Sequence, residues 1–323
     1  MLDRALDWTV VPGYGSPGYR LRRRAWGPRV ASEALADRDV LVTGASSGIG
    51  EAAARQLAEA GARVHLLARN PDRGEAARAR LLAAVPGGGD DGERVRLHLC
   101  DVSDLDSVRA FAAAFAERVP RLAGLIHNAG VLTKRRERTP QGHERTLATA
   151  VIGPFLMTRM LLESLRAGAP SRVVWVSSGG MYTARLDAGD LELDHRDFDG
   201  SGFYAHAKRA QVILAELFDE REGDGVRFHS MHPGWADTPG VEDSLPRFHR
   251  VMSPILRDAD QGADTAVWLL AAPEAAERGF WHDRRRRPTH RVPRTCESSA
   301  DRERLWSFLE DATRAYTPGS RGA

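Results

Sequence analysis

The sequence predicts an α/β fold, a doubly wound parallel sheet built as a single elaborated domain. Three observations carry that expectation. Short apolar runs alternate with helical stretches along most of the 323 residues. A glycine-rich turn, TGASSGIG at positions 43–50, joins the first apolar run to the first helical stretch. Much later, Tyr204 and Lys208 in YAHAK stand one helical turn apart.

Residues 1–38 are rich in Gly, Pro and Arg and keep no sustained period, so they read as an N-terminal extension. Within it, RLRRRAWGPR at 20–29 is a basic cluster with one Trp. A solvated arm packed over the domain edge is preferred there to an anchor on an anionic membrane or partner. Strand-like runs follow at 39–43, 63–68, 94–99, 122–127, 172–177 and 226–231. Most are too apolar for a one-sided surface strand and suit the interior of a parallel sheet. Ala- and Leu-rich helical stretches lie between them at 51–60, 75–84, 107–118 and 141–166, giving βα units with right-handed crossovers. PGGGDDG at 86–92 is a surface loop, 235–257 a substrate-side stretch, and 260–272 a helix. The segment FWHDRRRRPTHRVPR comes next, and a helix near 301–316 closes the chain. The organisation expected is an extension at 1–38, an NADP-binding catalytic domain at 39–283, and a tail with a helix at 284–323.

Composition bounds the function. Hydrophobic residues at 42% and charged residues at 28% are ordinary for a soluble globular protein. A net charge of +2 gives no support to a nucleic-acid partner. Cys100 and Cys296 have neither the density of a disulfide scaffold nor metal-ligand spacing, so a reducing, cytoplasmic protein without a bound metal is expected. The start, MLDRALDWTV, is acidic early and lacks the apolar core of an export signal. No run approaches the roughly 18–20 apolar residues of a spanning helix, so membrane contact is peripheral at most.

The chemistry is concentrated at strand ends. Gly44, Gly48 and Gly50 let the backbone turn sharply and come close to a dinucleotide, with free N–H groups of the helix start facing its pyrophosphate. Ser46, Ser47 and Ile49 belong to the same turn, the serines adding hydroxyl donors. At the end of the second strand Arg69 can pair with a ribose 2′-phosphate, and no carboxylate stands at 68–70 to repel it, which favours NADP(H) over NAD(H). Asp101 and Val102 after the third strand, and Asn128, Ala129 and Gly130 after the fourth, lie where such sheets bind ligands. Asp101 can accept from the adenine amino group, and the small residues leave room beside the adenosine. Taken singly, each has a plainer reading as turn chemistry.

A carbonyl reduced by hydride needs an acid and a polarising donor. A free Tyr titrates near ~10, and a Lys on the same helical face lowers that value. Tyr204 with Lys208 meets this spacing; Tyr182, with Leu186 four residues on, does not. Ser178 can hydrogen-bond the substrate oxygen, and strand alternation would point the neighbouring Ser177 the other way.

Together these residues resemble the short-chain dehydrogenase/reductase family from about 39 to 281, through TGASSGIG, HNAG, VSS, YAHAK and HPGWADTPG. The stretches SSGGMY and FWHDRRRRPTH are similar to one subgroup of it. The resemblance implies a Rossmann-type fold and a catalytic set of Ser178, Tyr204 and Lys208, with the lysine also on the nicotinamide ribose. It places Pro233, Gly234 and Thr238 in a loop that holds the nicotinamide end. It further implies a homodimer through helices containing 141–166 and 204–218, packing that the extension and tail can block or replace.

Two features depart from the family pattern. Ser178 and Tyr204 are roughly twice as far apart in sequence as the short family spacing, so 179–202 should loop out beside the site. Its acidic cluster, Asp194, His195, Asp197 and Asp199, reads as solvated rather than metal-binding. Ala150 stands where the family usually has an Asn that holds a helical kink and a water leading to the Lys, so a slowed proton relay is expected. The expected function is NADP(H)-dependent hydride transfer to or from a hydrophobic carbonyl or alcohol, under a roof at 241–256 bearing Leu245, Phe248, Met252 and Ile255. The alternative is a dinucleotide-binding sensor or scaffold with weak or no catalysis, motivated by Ala150 and the Arg284–Arg287 run.

Overall fold

The computed structural model describes residues 3, 6–7, 9–27, 30–31, 33–84, 94–237 and 246–317. Thr238, the loop at 86–92, residues 241–245 of the expected roof with Leu245, and the side chain of Phe248 lie outside the described residues.

In chain order the main elements are α1 (Val10–Tyr14), α2 (Ser16–Arg23), β1 (Asp39–Thr43), α3 (Gly48–Glu59), β2 (Arg63–Ala68), α4 (Pro71–Ala84) and β3 (Val95–Leu99). Next come α5 (Leu105–Arg118), β4 (Leu122–His127), α6 (Arg145–Ala167), β5 (Ser171–Val176), α7 (Gly200–Glu222) and β6 (Val226–Met231). The last are α8 (Pro246–Met252), α9 (Ala259–Ala271), β7 (Gly279–His282), β8 (Arg285–Arg287) and α10 (Ser299–Thr313). The strands form one sheet in the order β3-β2-β1-β4-β5-β6-β7-β8. All neighbours are parallel except β7 and β8. The chain winds outward from β1 to β3, then returns to place β4 on the other side of β1. That reversal leaves a crevice at the carboxyl ends of β1 and β4, the place where open α/β sheets bind ligands.

Side chains alternate across the strands into two apolar layers. Leu41, Val173 and Trp175 face a layer with Phe115, Phe155, Phe218 and Trp306. Val40, Val42, Val174 and Val176 face the other, with Leu57, Leu66, Leu269 and Leu270. Strands buried on both faces explain why the sequence shows continuous apolar runs there.

Three regions differ from the sequence reading. The first is the β7–β8 hairpin, in a segment that read as the start of a tail. Asp283 and Arg284 both have positive φ (52° and 53°), the conformation of a two-residue hairpin turn without its usual glycine. Arg284 is tied to Asp264 by bonds of 2.7 and 2.8 Å, and Arg285 and Arg287 reach Asp3. Those arginines of the basic run are therefore paired within the fold.

The second is the N-terminal segment, which forms α1 and α2 and buries Tyr14, Tyr19 and Arg22. The third is α6, which by length and composition could cross a membrane, an amendment to the expectation that no stretch approaches that limit; 83% of its apolar window is buried in the fold. Among the described residues no other helix meets that test.

The C-terminal helix α10 lies against α6 and α7. Trp306 packs edge-on to Phe155 and Phe218, each with ring centroids 5.2 Å apart, and Arg302 bonds Glu216 at 2.8 Å. The face expected to pair two copies is thus partly covered by the chain's own tail.

Burial also makes the fold acid-sensitive. His229 and His127 are pushed down to about 3 and His206 to about 4, in each case chiefly by desolvation. The unfolded chain protonates these groups near ~6.5. Between that value and the folded one it binds more protons than the native state. Their stabilisation is complete above pH ~6.5 and falls with pH, by up to about 1.4 kcal/mol per unit for each group. The midpoint of urea unfolding should therefore drop steeply from pH 7 to pH 5. His229→Leu should flatten the slope, and an unchanged slope in that variant would disprove the origin assigned.

Candidate active site

The glycine turn closes the carboxyl end of β1. Gly44 and Gly48 have φ of +65° and +57°, so both positions favour glycine. Gly50 is required by contact instead: a Cβ there would lie 2.3 Å from the Gly44 oxygen and 2.4 Å from Asn128 Nδ2. Asn128 clasps the turn, its amide donating to the carbonyls of Thr43 (3.1 Å) and Gly44 (3.2 Å). The Thr43 hydroxyl in turn accepts from the backbone N–H groups of Asn128 and Ala129, both at 3.0 Å. Asn128 and Thr43 therefore act first as braces, holding the ends of β1 and β4 together. Ser47 sits at the N-cap of α3 without a side-chain capping bond, which leaves the first-turn N–H groups to a ligand. Ser46 and Ile49 are partly exposed in the same turn.

At the adenosine end of the crevice Arg69 is exposed and pairs loosely with Asp101, at 3.7 Å. The other oxygen of Asp101 accepts from the Ser103 N–H and hydroxyl at 2.9 and 2.7 Å, which fixes the carboxylate. The Val102 carbonyl lies against α6, where a Cβ on Gly153 would sit 1.9 Å away. That contact fastens the β3 loop to α6.

The proton-handling residues meet at the ends of β4 and β5. Ser177 turns inward, its hydroxyl donating to the Lys208 carbonyl at 2.8 Å. Ser178 turns the other way, its hydroxyl accepting from the Gly180 N–H at 3.2 Å on the side of Tyr204, so the alternation argument selects the serine that faces the tyrosine. Tyr182 is engaged elsewhere, donating to the Pro288 carbonyl at 2.8 Å.

Lys208 is buried, and its ammonium donates to the Val176 carbonyl at 2.8 Å and lies 5.3 Å from the Tyr204 ring centroid. A Cβ on Gly130 would come within 3.6 Å of Lys208 Nζ, an ordinary contact that places this residue beside the ammonium. Desolvation pushes Tyr204 up to about 12, opposed by the bond with Ser178, and pushes Lys208 down to about 7. The sequence led us to expect a lowered tyrosine. Removal from water dominates instead.

Ala150 lies in a π-helical turn, Ala148–Ile152, within α6. The bend expected of the usual Asn is thus present without it. Gln211, three residues after Lys208 on α7, donates to the Ala150 carbonyl at 2.7 Å and holds the turn from the facing helix. Sequence reading missed Gln211, and only its place on the helix after Lys208 would have signalled it.

The acidic insertion is tied down rather than loose. Arg136 pairs with Asp194 at 2.9 Å and bonds the Leu193 and Arg196 carbonyls, while Asp199 caps α7. Across the crevice, the loop after β6 brings Pro233 and Gly234 to the site side. Gly234 has φ +79°.

The sequence pattern described as short chain dehydrogenase matches residues 38–247. The chain is 37% identical over 322 residues to the Bos taurus protein named dehydrogenase/reductase SDR family member 12, covering 98% of this chain and 99% of that one. It is 34% identical over 278 residues to human retinol dehydrogenase 12, with 84% and 85% covered. Among solved structures, an uncharacterized protein of Mycobacterium paratuberculosis superposes with a TM-score of 0.68 at 26% identity, covering 89% of this chain and 98% of that one.

Proposed function

Since the chain belongs to the short-chain dehydrogenase/reductase family and is an NAD(P)-dependent oxidoreductase, we propose that it is an NADP(H)-dependent reductase or dehydrogenase of hydrophobic carbonyls and alcohols. The observation that carries this reading is the convergence of Ser178, Tyr204 and Lys208 at one end of the glycine-turn crevice. The crevice suits a dinucleotide. Gly44 and Gly48 give the turn its positive-φ backbone, Gly50 lets it close against Asn128, and the α3 N-terminus supports a pyrophosphate. Arg69 would meet the 2′-phosphate, with Asp101 and Val102 beside the adenine. Ala129 and Gly130 would lie beside the adenosine, and Lys208, Pro233, Gly234 and Thr238 would line the nicotinamide half.

When bound, the nicotinamide supplies or takes the hydride. The chain's own groups do the rest. Ser178 orients the substrate oxygen by hydrogen bond, Tyr204 gives or takes its proton, and Lys208 stabilises the phenolate by charge. The retained Ser-Tyr-Lys set favours catalysis over a purely cofactor-sensing role. Partly buried Met252 and Ile255 in the expected roof support a lipophilic substrate. With α10 packed on the expected pairing face, a monomer is the proposed form, and a dimer by light scattering would refute that part.

The direct test is NADPH oxidation, beside NADH, with aliphatic, aromatic, retinoid and steroid carbonyls. NADPH-linked turnover is expected. Arg69→Asp should cut kcat/KM for NADPH about tenfold or more, the loss of one charge-assisted contact, while leaving NADH at least as good. Equal loss with both cofactors would remove Arg69 from the phosphate site.

A further inference from the structure

The loop after β6 is held from behind by residues far away in sequence. A Cβ at Gly234 would fall 2.4 Å from Arg257 Nε and 2.5 Å from the Tyr14 carbonyl oxygen, so the loop closes onto both. The next residue, Trp235, donates its N–H to that Tyr14 oxygen at 2.9 Å and accepts from the Arg257 N–H at 2.8 Å. The Arg257 guanidinium donates to the Pro233 carbonyl at 3.1 Å. Arg257 is fixed by Asp283, at 2.6 and 2.9 Å. Arg22, from α2, shares Asp283 at 2.7 Å and donates to the Gly13 carbonyl at 2.6 Å. Arg22, Arg257 and Asp283 are all buried.

Tyr14 joins this loop to the opposite wall. Its ring is edge-on to His232, with centroids 4.5 Å apart, and to Trp235, at 5.9 Å. A Cβ on Gly179, the residue after Ser178, would meet the Tyr14 ring at 2.8 Å. One side chain therefore touches both the segment after β5, which carries Ser178, and the loop after β6. Its hydroxyl has no hydrogen-bond partner among the described residues, so the ring's bulk is what these walls use.

We propose that the N-terminal segment is a working part of the nicotinamide site, with Tyr14 and Arg22 as positioning residues that brace the 232–237 loop for the nicotinamide half of the cofactor. This inference rests on the dinucleotide reading above. Without the brace, the loop would have to be ordered during binding, and that cost falls only on the half of the ligand the loop contacts. The adenosine half, at the glycine turn, Arg69 and Asp101, lies against other elements and is spared.

The test uses the full chain and calorimetric titration with NADPH and NADH, and with their adenosine fragments, adenosine 2′,5′-bisphosphate and 5′-AMP. Arg22→Met and Tyr14→Ala are compared with the parent and with Arg20→Ala, an exposed position on α2. Both variants should weaken the preferred dinucleotide about tenfold or more while moving its fragment less than about twofold; Arg20→Ala should match the parent. Arg22→Met leaves Asp283 paired with Arg257, so it carries the test even if Tyr14→Ala does not fold. Equal weakening of dinucleotide and fragment, or no weakening of either, would overturn the inference. A parent chain that binds neither dinucleotide would overturn the enzyme reading itself, and this inference with it.

Discussion

Tyr204→Phe should lower kcat by about two to four orders of magnitude while changing the dinucleotide Kd less than about threefold. The substitution removes one oxygen and keeps the ring that lies 5.3 Å from Lys208 Nζ. What is lost is the proton donor that faces Ser178. At about 12, the half-buried phenol is protonated throughout the neutral range and can serve as the acid in reduction. Lys208, lowered to about 7 by burial, loses its ammonium as pH rises through that value. Since kcat/KM reports groups of the free enzyme, reduction should slow above about pH 7, and Lys208→Met should abolish that pH dependence at a lower rate. Full turnover by Tyr204→Phe would mean that another group is the acid.

Asp283→Asn should cost about 3–5 kcal/mol of folding stability, the usual result of removing one partner from a buried ion pair. Asn tolerates the positive φ of 52° that the turn demands, so the backbone is respected and the change is one of charge. Asp283 is the anion shared by two guanidiniums, and their proximity holds its carboxyl below the ordinary range despite burial. Without it, Arg257 loses its carboxylate partner and Arg22 keeps only Asp3, at 2.9 Å. A domain with ordinary stability of about 5–15 kcal/mol would lose a large share of it. Urea unfolding at pH 7 measures the effect. Because the cost arises from stranded charge, replacing Arg22, Arg257 and Asp283 together by apolar residues should be less harmful than Asp283→Asn alone. A loss under about 1 kcal/mol in the single variant would show that the triad is hydrated in solution.

Five of the first six strands were legible because each is short, largely apolar and buried along most of its length; β3, at the sheet edge, is only partly buried and was found by its place in the βα order. Predicted and observed limits coincide for β1, β2, β4 and β6, and differ by one residue at one or both ends for β3 and β5. The β7–β8 hairpin was hidden for the opposite reason. Its strands have four and three residues, its turn reads Asp-Arg where glycine is usual, and a run of four arginines looks solvated until its partners are known. Asp3 and Asp264, remote in sequence, supply those partners. The N-terminal helices were missed likewise: α1 has five residues, and α2 is recognisable only by what covers it.

By itself the sequence determined the βα order, the glycine turn and the Tyr204–Lys208 pair, because each is written in spacing within one turn or one helix. The opposite directions of Ser177 and Ser178 followed from strand alternation alone. Tertiary structure alone decided what supports them. Gln211 on the Ala150 carbonyl, Tyr14 between two loops and Asp283 between two arginines join groups dozens to hundreds of residues apart. It also decided the sign of the Tyr204 shift, since spacing announces a neighbouring charge whereas desolvation depends on everything packed around the group.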